Sequence, residues 1–516
     1  MEKQLPKNWT NTELSYLISH VIGGDWGKEI DFTDEDYVEA LCIRGSEIKN
    51  WTRDKGSSAS LRKIKKSSLE SRKLELGDIL LEISGGGPEQ PVGRTVIIDF
   101  EALAFEPTIP KVCTNFLRLL RLDNKVNSKF INHYLQFFYN SGEITKYQGG
   151  SNNLRNLKFK EYETIKIPLP PLTEQNRIVT KLDTLFAQLE TIKRSMANVP
   201  LLLKDFRQQV LNQAVTGKLT EEWRKGKELE DVEKYILRIK KRQEKELVEQ
   251  QELNLKLGLK KISKRDNKIL PDSEIKLSIP ENWRVSRIAD VITDLTDYHA
   301  NGSYIDLKAN VTLKEEPDYA CMIRSTNFEK NNFDSLMIYI NEQAYNYMSR
   351  SKLFGNEILI SKIGNAGSVY LMPFLNRPAS LAMNLFAIRI DSEIEAKYIY
   401  FHLLSDFSTT NISKYVRGVA TKSIDKISVR SLMIGLPSNK EQQEIVSRIE
   451  SLFATADVIE KQYESLKAKI DNLPQALLHK AFKGELTEQL ESDGDARELL
   501  KEIEELKKET AKSKKK

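Results

Sequence analysis

The chain has 516 residues, 30% of them charged, yet its net charge is only +5 and its mean hydropathy is negative. That length allows about two to four domains with their own cores, and so mild a charge excludes nucleic-acid binding by bulk attraction alone, so any anion contact must be local. Cys42, Cys113 and Cys321 are odd in number, far apart and without a CxxC, which argues against a disulfide frame or a zinc cage. The five histidines are scattered and read as surface or satisfied core residues. The start MEKQLPKNW is polar, and no apolar run reaches the ~18 residues of a membrane span. A reducing cytoplasm is therefore expected.

Taken in chain order, a first module covers 1–166. It opens on LPKNW (5–9), and a strand ends in LCIRGSEI with Arg44 after Ile43. ELGDILLEISGGG (75–87) reads as a short apolar strand entering a glycine turn, a helix is expected near 127–140, and KYQGGSNNLRNLK (146–158) follows. Arg53 to Lys73 is a basic run (Arg53, Lys55, Arg62, Lys63, Lys65, Lys66, Arg72, Lys73) against Asp54 and Glu70. It reads either as a DNA-contacting loop or as a mobile solvated one. The turn SGGGPEQPVG lacks the Lys-Ser/Thr of a phosphate loop.

A helical segment, 167–223, comes next. Its apolar positions Ile178, Leu182, Leu185, Leu189, Ile192, Met196, Val199, Leu203, Phe206 and Val210 alternate by four and three, the seam of a coiled coil. Pro170 and Pro171 end the preceding strand, Thr173 is a candidate N-cap, and Gly217 is placed for a left-handed C-cap. Pro200 lies inside and predicts a kink or a break. Residues 224–270 read as a polar helix followed by a flexible linker.

The second module, 271–433, repeats the landmarks of the first. IPENW (279–283), CMIRSTNF with Arg324 after Ile323, LFGNEILISKIGNAG (353–367), a helix near 395–406 and KYVRGVATKSIDK (414–426) follow in the same order. Strands mixed with helices predict two α+β modules of one fold with divergent surfaces. Segment 434–490 then repeats 167–223. About 57 residues align without a gap at an offset of about 267, with roughly 18 identities. Its seam is Ile445, Ile449, Leu452, Ala456, Ile459, Tyr463, Leu466, Ile470, Leu473 and Leu477, its candidate caps are Ser438 and Gly484, and its internal proline is Pro474. Packing the two seams on each other is the simplest way to bury both, and a seam of about 33 residues is roughly 50 Å long. The end, 491–516, reads as a charged, solvated tail.

Catalysis has no visible support. GxxxxGK[ST], HExxH, GxSxG and the NPPY-like run that holds a flipped base are all missing. Pro271-Asp272 with Glu274-x-Lys276 has the letters of a PD…ExK nuclease site, at a spacing too short to span two strands.

Two copies of Leu-Pro, Glu-Gln, Ile-Val and Gly-x-Leu-Thr, in IPLPPLTEQNRIVTKLDTLFAQLE…TGKLT and IGLPSNKEQQEIVSRIESLFATAD…KGELT, each stand behind a PxNW-headed module. Over nearly its whole length the chain resembles the specificity subunit of type I restriction–modification systems. The resemblance implies two target-recognition domains, each reading half of a split, asymmetric DNA site. It implies two conserved helices packed as an antiparallel coiled coil with pseudo-twofold symmetry, which set the gap between half-sites. It also implies a non-catalytic bacterial or archaeal subunit that joins double-stranded DNA, two methyltransferase subunits and two restriction or motor subunits. S-adenosylmethionine, ATP and magnesium would belong to those partners, with no cofactor or metal in this chain and no membrane. Residue types that suit phosphates and base edges single out Arg44, Arg53, Lys55, Arg62, Lys63, Lys146, Gln148, Asn152, Asn153 and Arg155 in the first module. In the second they single out Arg324, Lys362, Asn365, Lys414, Arg417, Thr421 and Lys422. The rival expectation is a coiled-coil interaction scaffold without base readout.

Overall fold

A computed structural model of the chain describes residues 5–87, 90–151, 154–256, 268–271, 277–335 and 337–513. The chain forms two compact units, 1–197 with 464–516, and 198–463. These cut across the sequence-based segments, because each unit joins one module to parts of both helical repeats.

In the first unit, Ile18–Gly23, Leu117–Leu122, Ile79–Glu82 and Thr95–Ile97 form a four-stranded sheet in that order. A second sheet orders Ser60–Lys65, Tyr37–Ile43 and Lys111–Cys113, with Tyr37–Ile43 antiparallel to the first strand and parallel to the last. Thr10–Glu13 pairs with Lys166–Leu169, closing the two ends of the module on each other. The second unit repeats this topology. Ile292–Asp297, Leu385–Ile390, Ile358–Ser361 and Val369–Leu371 make the first sheet. Ile338–Ile340, Ala320–Ile323, Ala379–Leu381 and Lys352–Leu353 make the second, again with one parallel pair, Ala320–Ile323 beside Ala379–Leu381. Arg284–Arg287 and Met433–Leu436 close the module. Helices Ser128–Asn140 and Ala396–Leu403 stand at the expected places.

The repeats are helical and antiparallel within each unit. In the first, Lys193 meets Asp471 at 3.7 Å while Arg177 meets Asp493 at 2.5 Å. In the second, Arg207 bridges Asp457 and Glu460 at 2.7 and 2.8 Å, and Arg448 donates to the Leu219 carbonyl at 2.9 Å. Ile178 and Leu182 are buried in the core of the first module, and Ile445 and Ile449 in that of the second. Leu189 is also buried, and Leu185, Met196, Leu452 and Tyr463 are half-buried. Ile192 and Ile459 are 44% exposed and Leu466 48%, so the stripe is not covered along its full length. Sheet and helix together bury its first turns, whereas further along a single facing helix leaves the flanks open to water.

The two internal prolines behave differently. Helix Leu172–Met196 stops and Val199–Val215 begins with Pro200 in its first turn, where a missing N–H costs nothing. Pro474 sits inside the continuous helix Asn439–Phe482, so of the kink or break expected there the break does not form. Neither candidate N-cap acts through its side chain. Thr173 Oγ1 donates instead to Asp493, and Ser438 Oγ has no partner among the described residues. Gly217 and Gly484 do take the left-handed conformation, with φ of 71° and 68°.

Of the charged segments outside the two aligned repeats, the first forms the expected polar helix, and the second is not the expected solvated tail. Val232–Lys256 is one helix whose Val232, Tyr235 and Ile239 enter the second module's core, while Arg242 pairs with Asp391 and with Glu393 at 2.5 Å. The tail contains Ala496–Ser513, a helix with Ile503 buried in the first module's core. Lys125–Glu502 at 2.8 Å and Lys507 Nζ donating to the Tyr16 carbonyl at 2.7 Å hold it there. Spaced apolar residues in a charged run thus made a docked helix rather than a solvated end.

Two histidines are buried cores of the module helices. His402 Nε2 accepts from the Gly435 N–H at 2.9 Å, and Nδ1 faces Ser408 Oγ at 2.9 Å. Burial pushes His402 from 6.5 down to about 3 and His133 from 6.5 down to about 4. The unfolded chain therefore binds more protons than the folded one below about 6.5, and stability rises with pH there. The contribution is complete above pH ~6.5 and disappears as pH falls toward those depressed values. The melting temperature should drop between pH 7 and 5, and His402→Gln should flatten that slope; an unchanged slope would contradict the assignment.

Candidate nucleic-acid interface

A buried carboxylate anchors each module to the repeats. Glu174, fully buried, accepts from Trp9 Nε1 at 2.9 Å, Gln489 Nε2 at 2.9 Å and Thr487 Oγ1 at 3.3 Å. Glu441, equally buried, accepts from Trp283 Nε1 at 3.0 Å, Thr220 Oγ1 at 2.8 Å and Arg224 Nε at 2.9 Å. The tryptophan belongs to the PxNW start, and the threonine to the Gly-x-Leu-Thr end of the other repeat. A Cβ on Gly484 would lie 2.4 Å from Pro6 Cγ, and one on Gly217 2.5 Å from Pro280 Cγ. The neighbouring glutamines do matching work. Gln175 donates to the Pro170 carbonyl and accepts from Asn127 N, and Gln442 does so with Pro437 and Glu395, all at 2.9 Å. Glu-Gln, Trp and Gly-x-Leu-Thr recur because together they form one closure, built once per unit.

On this frame the loops singled out in each sequence module come together. In the first, Ser84–Gly86 pairs with Leu154–Leu157, which pairs with Gln148–Ser151. Gly150 has φ +119°, and a Cβ there would meet the Leu154 carbonyl oxygen at 2.4 Å. Arg94 holds Glu82 at 2.5 Å and reaches the Gly45 carbonyl at 3.3 Å, drawing the Arg44 turn toward this ribbon. In the second, Gly364 N donates to the Lys422 carbonyl at 3.1 Å, Ile363 bridges Ser423, and Asn365 Nδ2 donates to Glu329 Oε1 at 2.9 Å. A turn after the Ile-Arg strand, a loop after the next apolar strand and a late polar hairpin thus share one surface in both modules.

The individual residues divide by what they touch. Arg155 lies half-buried on the ribbon, with no ion pair among the described residues. Lys414, Arg417, Thr421 and Lys422 are exposed on or beside the second hairpin, and the three cations have no carboxylate partner among the described residues. Arg324 stands at the N-cap of Ser325–Glu329, as Arg44 does for Gly45–Ile48. Arg44 is committed to Glu47 at 2.6 Å and to the Ser58 carbonyl at 3.2 Å, a structural role at a strand end. Gln148 donates to the Val92 carbonyl at 3.2 Å, and Lys146, on the exposed rim, pairs with Glu143 at 2.5 Å. Asn152 and Asn153 lie outside the described residues.

Several of these cations are engaged within their own module. The basic run is not a mobile loop but strand Ser60–Lys65 and helix Lys66–Arg72. Arg62 is buried, stacked 4.2 Å over Trp26 and paired with Glu29; Lys55 pairs with Asp99; Lys63 pairs with Glu39 at 3.2 Å. Arg53 stays exposed and pairs with its neighbour Asp54 at 2.6 Å. Lys362 and Lys426 close on the buried Asp297 at 3.2 and 2.7 Å. Burial alone would raise the Asp297 carboxyl, but these two cations hold it below its ordinary value. Residue type cannot tell an inward cation from an outward one, since the partners stand far away in the chain. Val419, an aliphatic residue, stands fully exposed at the second hairpin's tip among these polar side chains. Asp272, Glu274 and Lys276 of the PD…ExK-like run lie outside the described residues. Among the described residues no cluster of His, Cys, Asp and Glu could hold a metal ion, and no helix is long and apolar enough to cross a membrane.

Comparison with known proteins agrees with this arrangement. The family model described as "Type I restriction modification DNA specificity domain" matches residues 38–200 and 280–468. The EcoKI specificity subunit of Escherichia coli K12 is 28% identical over 495 residues, covering 94% of this chain and 91% of that protein. The StySPI specificity subunit of Salmonella potsdam is 28% identical over 492 residues, with the same coverage of 94% and 91%. The HsdS subunit structure from Thermoanaerobacter tengcongensis has the same fold, with a TM-score of 0.55 at 18% identity over 94% of this chain and 99% of that one. The repeated closure, the paired modules and the family match together place the chain: it belongs to the type I restriction–modification DNA specificity family.

Proposed function

We propose that this chain reads a split, asymmetric site on double-stranded DNA, each module recognising one half. It contributes no catalysis. Methyltransferase subunits, and restriction or motor subunits where present, dock on it and bring S-adenosylmethionine, ATP and magnesium. The repeated helices determine the gap between half-sites and offer those subunits their footing. The observation that carries this reading is the convergence, in each module, of three polar loops on one surface above a shared fold. A common frame with different loop residues is what two different half-sites require.

The test is a long-read adenine-methylation map of cells holding this chain with its neighbouring methyltransferase, against cells lacking only the chain. A bipartite motif that vanishes with the chain is expected. An active methyltransferase that binds this chain yet yields no motif would instead indicate an interaction scaffold.

A further inference from the structure

Val419 is 101% exposed, the highest value among the exposed large hydrophobic residues described. It is not on a loose loop. Arg417 N donates to the Ser423 carbonyl at 2.9 Å and Ser423 N to the Arg417 carbonyl at 2.8 Å, closing a hairpin around it. Gly418 takes φ +98°, where a Cβ would meet the Thr421 carbonyl oxygen at 2.2 Å, so the turn is drawn as tight as glycine allows. The Ile363–Ser423 bridge and the Gly364–Lys422 hydrogen bond tie the hairpin to the neighbouring loop.

The surroundings of this aliphatic tip are cationic. Lys414, Arg417 and Lys422 flank it, all exposed, and residues 413–424 contain no Asp or Glu. Cations of this kind suit a polyanion, and a branched aliphatic side chain between them suits an apolar feature set into that polyanion. On the edges of base pairs in the major groove the one such feature is the C5-methyl of thymine. Resting on the DNA-reading function proposed above, we infer that Val419 is a specificity residue that contacts a thymine methyl in the half-site read by the second module, with Arg417 and Lys422 on the flanking phosphates.

The experiment uses the full chain assembled with its methyltransferase subunit and duplexes bearing the mapped motif. Each thymine of the second module's half-site is replaced in turn by deoxyuridine, which removes only the methyl group. One replacement should weaken binding on the order of 3- to 10-fold. Val419→Ala should weaken binding to the thymine duplex by a similar factor and be indifferent to that same replacement, the signature of a coupled pair. Deoxyuridine in the other half-site should act equally on both proteins. The inference is overturned if the half-site contains no thymine, if the unmodified protein tolerates every replacement, or if Val419→Ala retains the same sensitivity. It is also overturned if Val419→Ala weakens methyltransferase assembly while leaving DNA binding unchanged, since the tip would then be a protein contact. Loss of all sequence preference by the unmodified complex would instead defeat the underlying DNA-reading function, so the two failures are distinguishable.

Discussion

Glu441→Ala is expected to destabilise the second unit by ~3–5 kcal/mol, the usual cost of removing one partner from a buried charged pair. Three donors converge on that carboxylate: the Trp283 indole, the Thr220 hydroxyl and the Arg224 guanidinium. Alanine leaves all three without their acceptor in a site closed to water, and each buried unsatisfied donor carries its own desolvation cost. Glu441→Gln keeps one oxygen acceptor but turns an N–H₂ toward donors, so its loss should be smaller. Hydrogen exchange resolved by segment is the measurement. Arg284–Arg287 and Met433–Leu436 should lose protection in Glu441→Ala, and strands of the first unit should keep theirs. A loss under about 1 kcal/mol would mean that the carboxylate is not the anchor of the closure.

Removing residues 491–516 should have a comparable effect on the first unit. Asp493 accepts from Arg177 at 2.5 and 2.6 Å and from Thr173 at 3.1 Å, and the Arg177 hydrogen bonds bring its carboxyl down to about 2. Ala496 N donates to the Asn8 carbonyl at 3.0 Å, and Ile503 is buried with Leu499 and Leu500 half-buried beside it. Losing one buried aliphatic side chain and two partly covered ones, with a half-buried ion pair, amounts to ~4–6 kcal/mol. Strands Thr10–Glu13 and Lys166–Leu169 should then exchange freely while the second unit keeps its protection. If the shortened chain melts as the full one does, Ala496–Ser513 is a passenger.

That tail also marks where the sequence stopped being legible. The aligned repeats, the glycine caps at 217 and 484 and the break at Pro200 are local signals, carried by spacing and backbone chemistry, and they could be read directly. The helix at 232–256 was legible but its docking was not, and the helix at 496–513 was read as a solvated end; each carries few apolar residues among many charges, so composition pointed to water when tertiary docking decided. Pro474 shows the same limit in reverse, because a helix extended by packing on both sides of a proline tolerates the lost bond. Within the candidate interface, the landmarks Arg44, Ser84–Gly86, Gln148–Ser151 and their counterparts were visible as repeated motifs, and the fold gathers them. Which cations face outward was not visible. Arg62 finds Glu29, Lys55 finds Asp99 and Lys362 finds Asp297, and no local pattern encodes partners so distant in the chain. The crossing of Thr487 to Glu174 and of Thr220 to Glu441 was hidden for the same reason.

The central claim is that two homologous modules read separate halves of one DNA site. Exchanging residues 1–166 for the corresponding module of another family member, followed by an adenine-methylation map of cells carrying the hybrid and the methyltransferase, tests it most directly. The account predicts a new motif in which one half changes and the other half and the gap are kept. A motif unchanged by the exchange, or one altered in both halves, would contradict it.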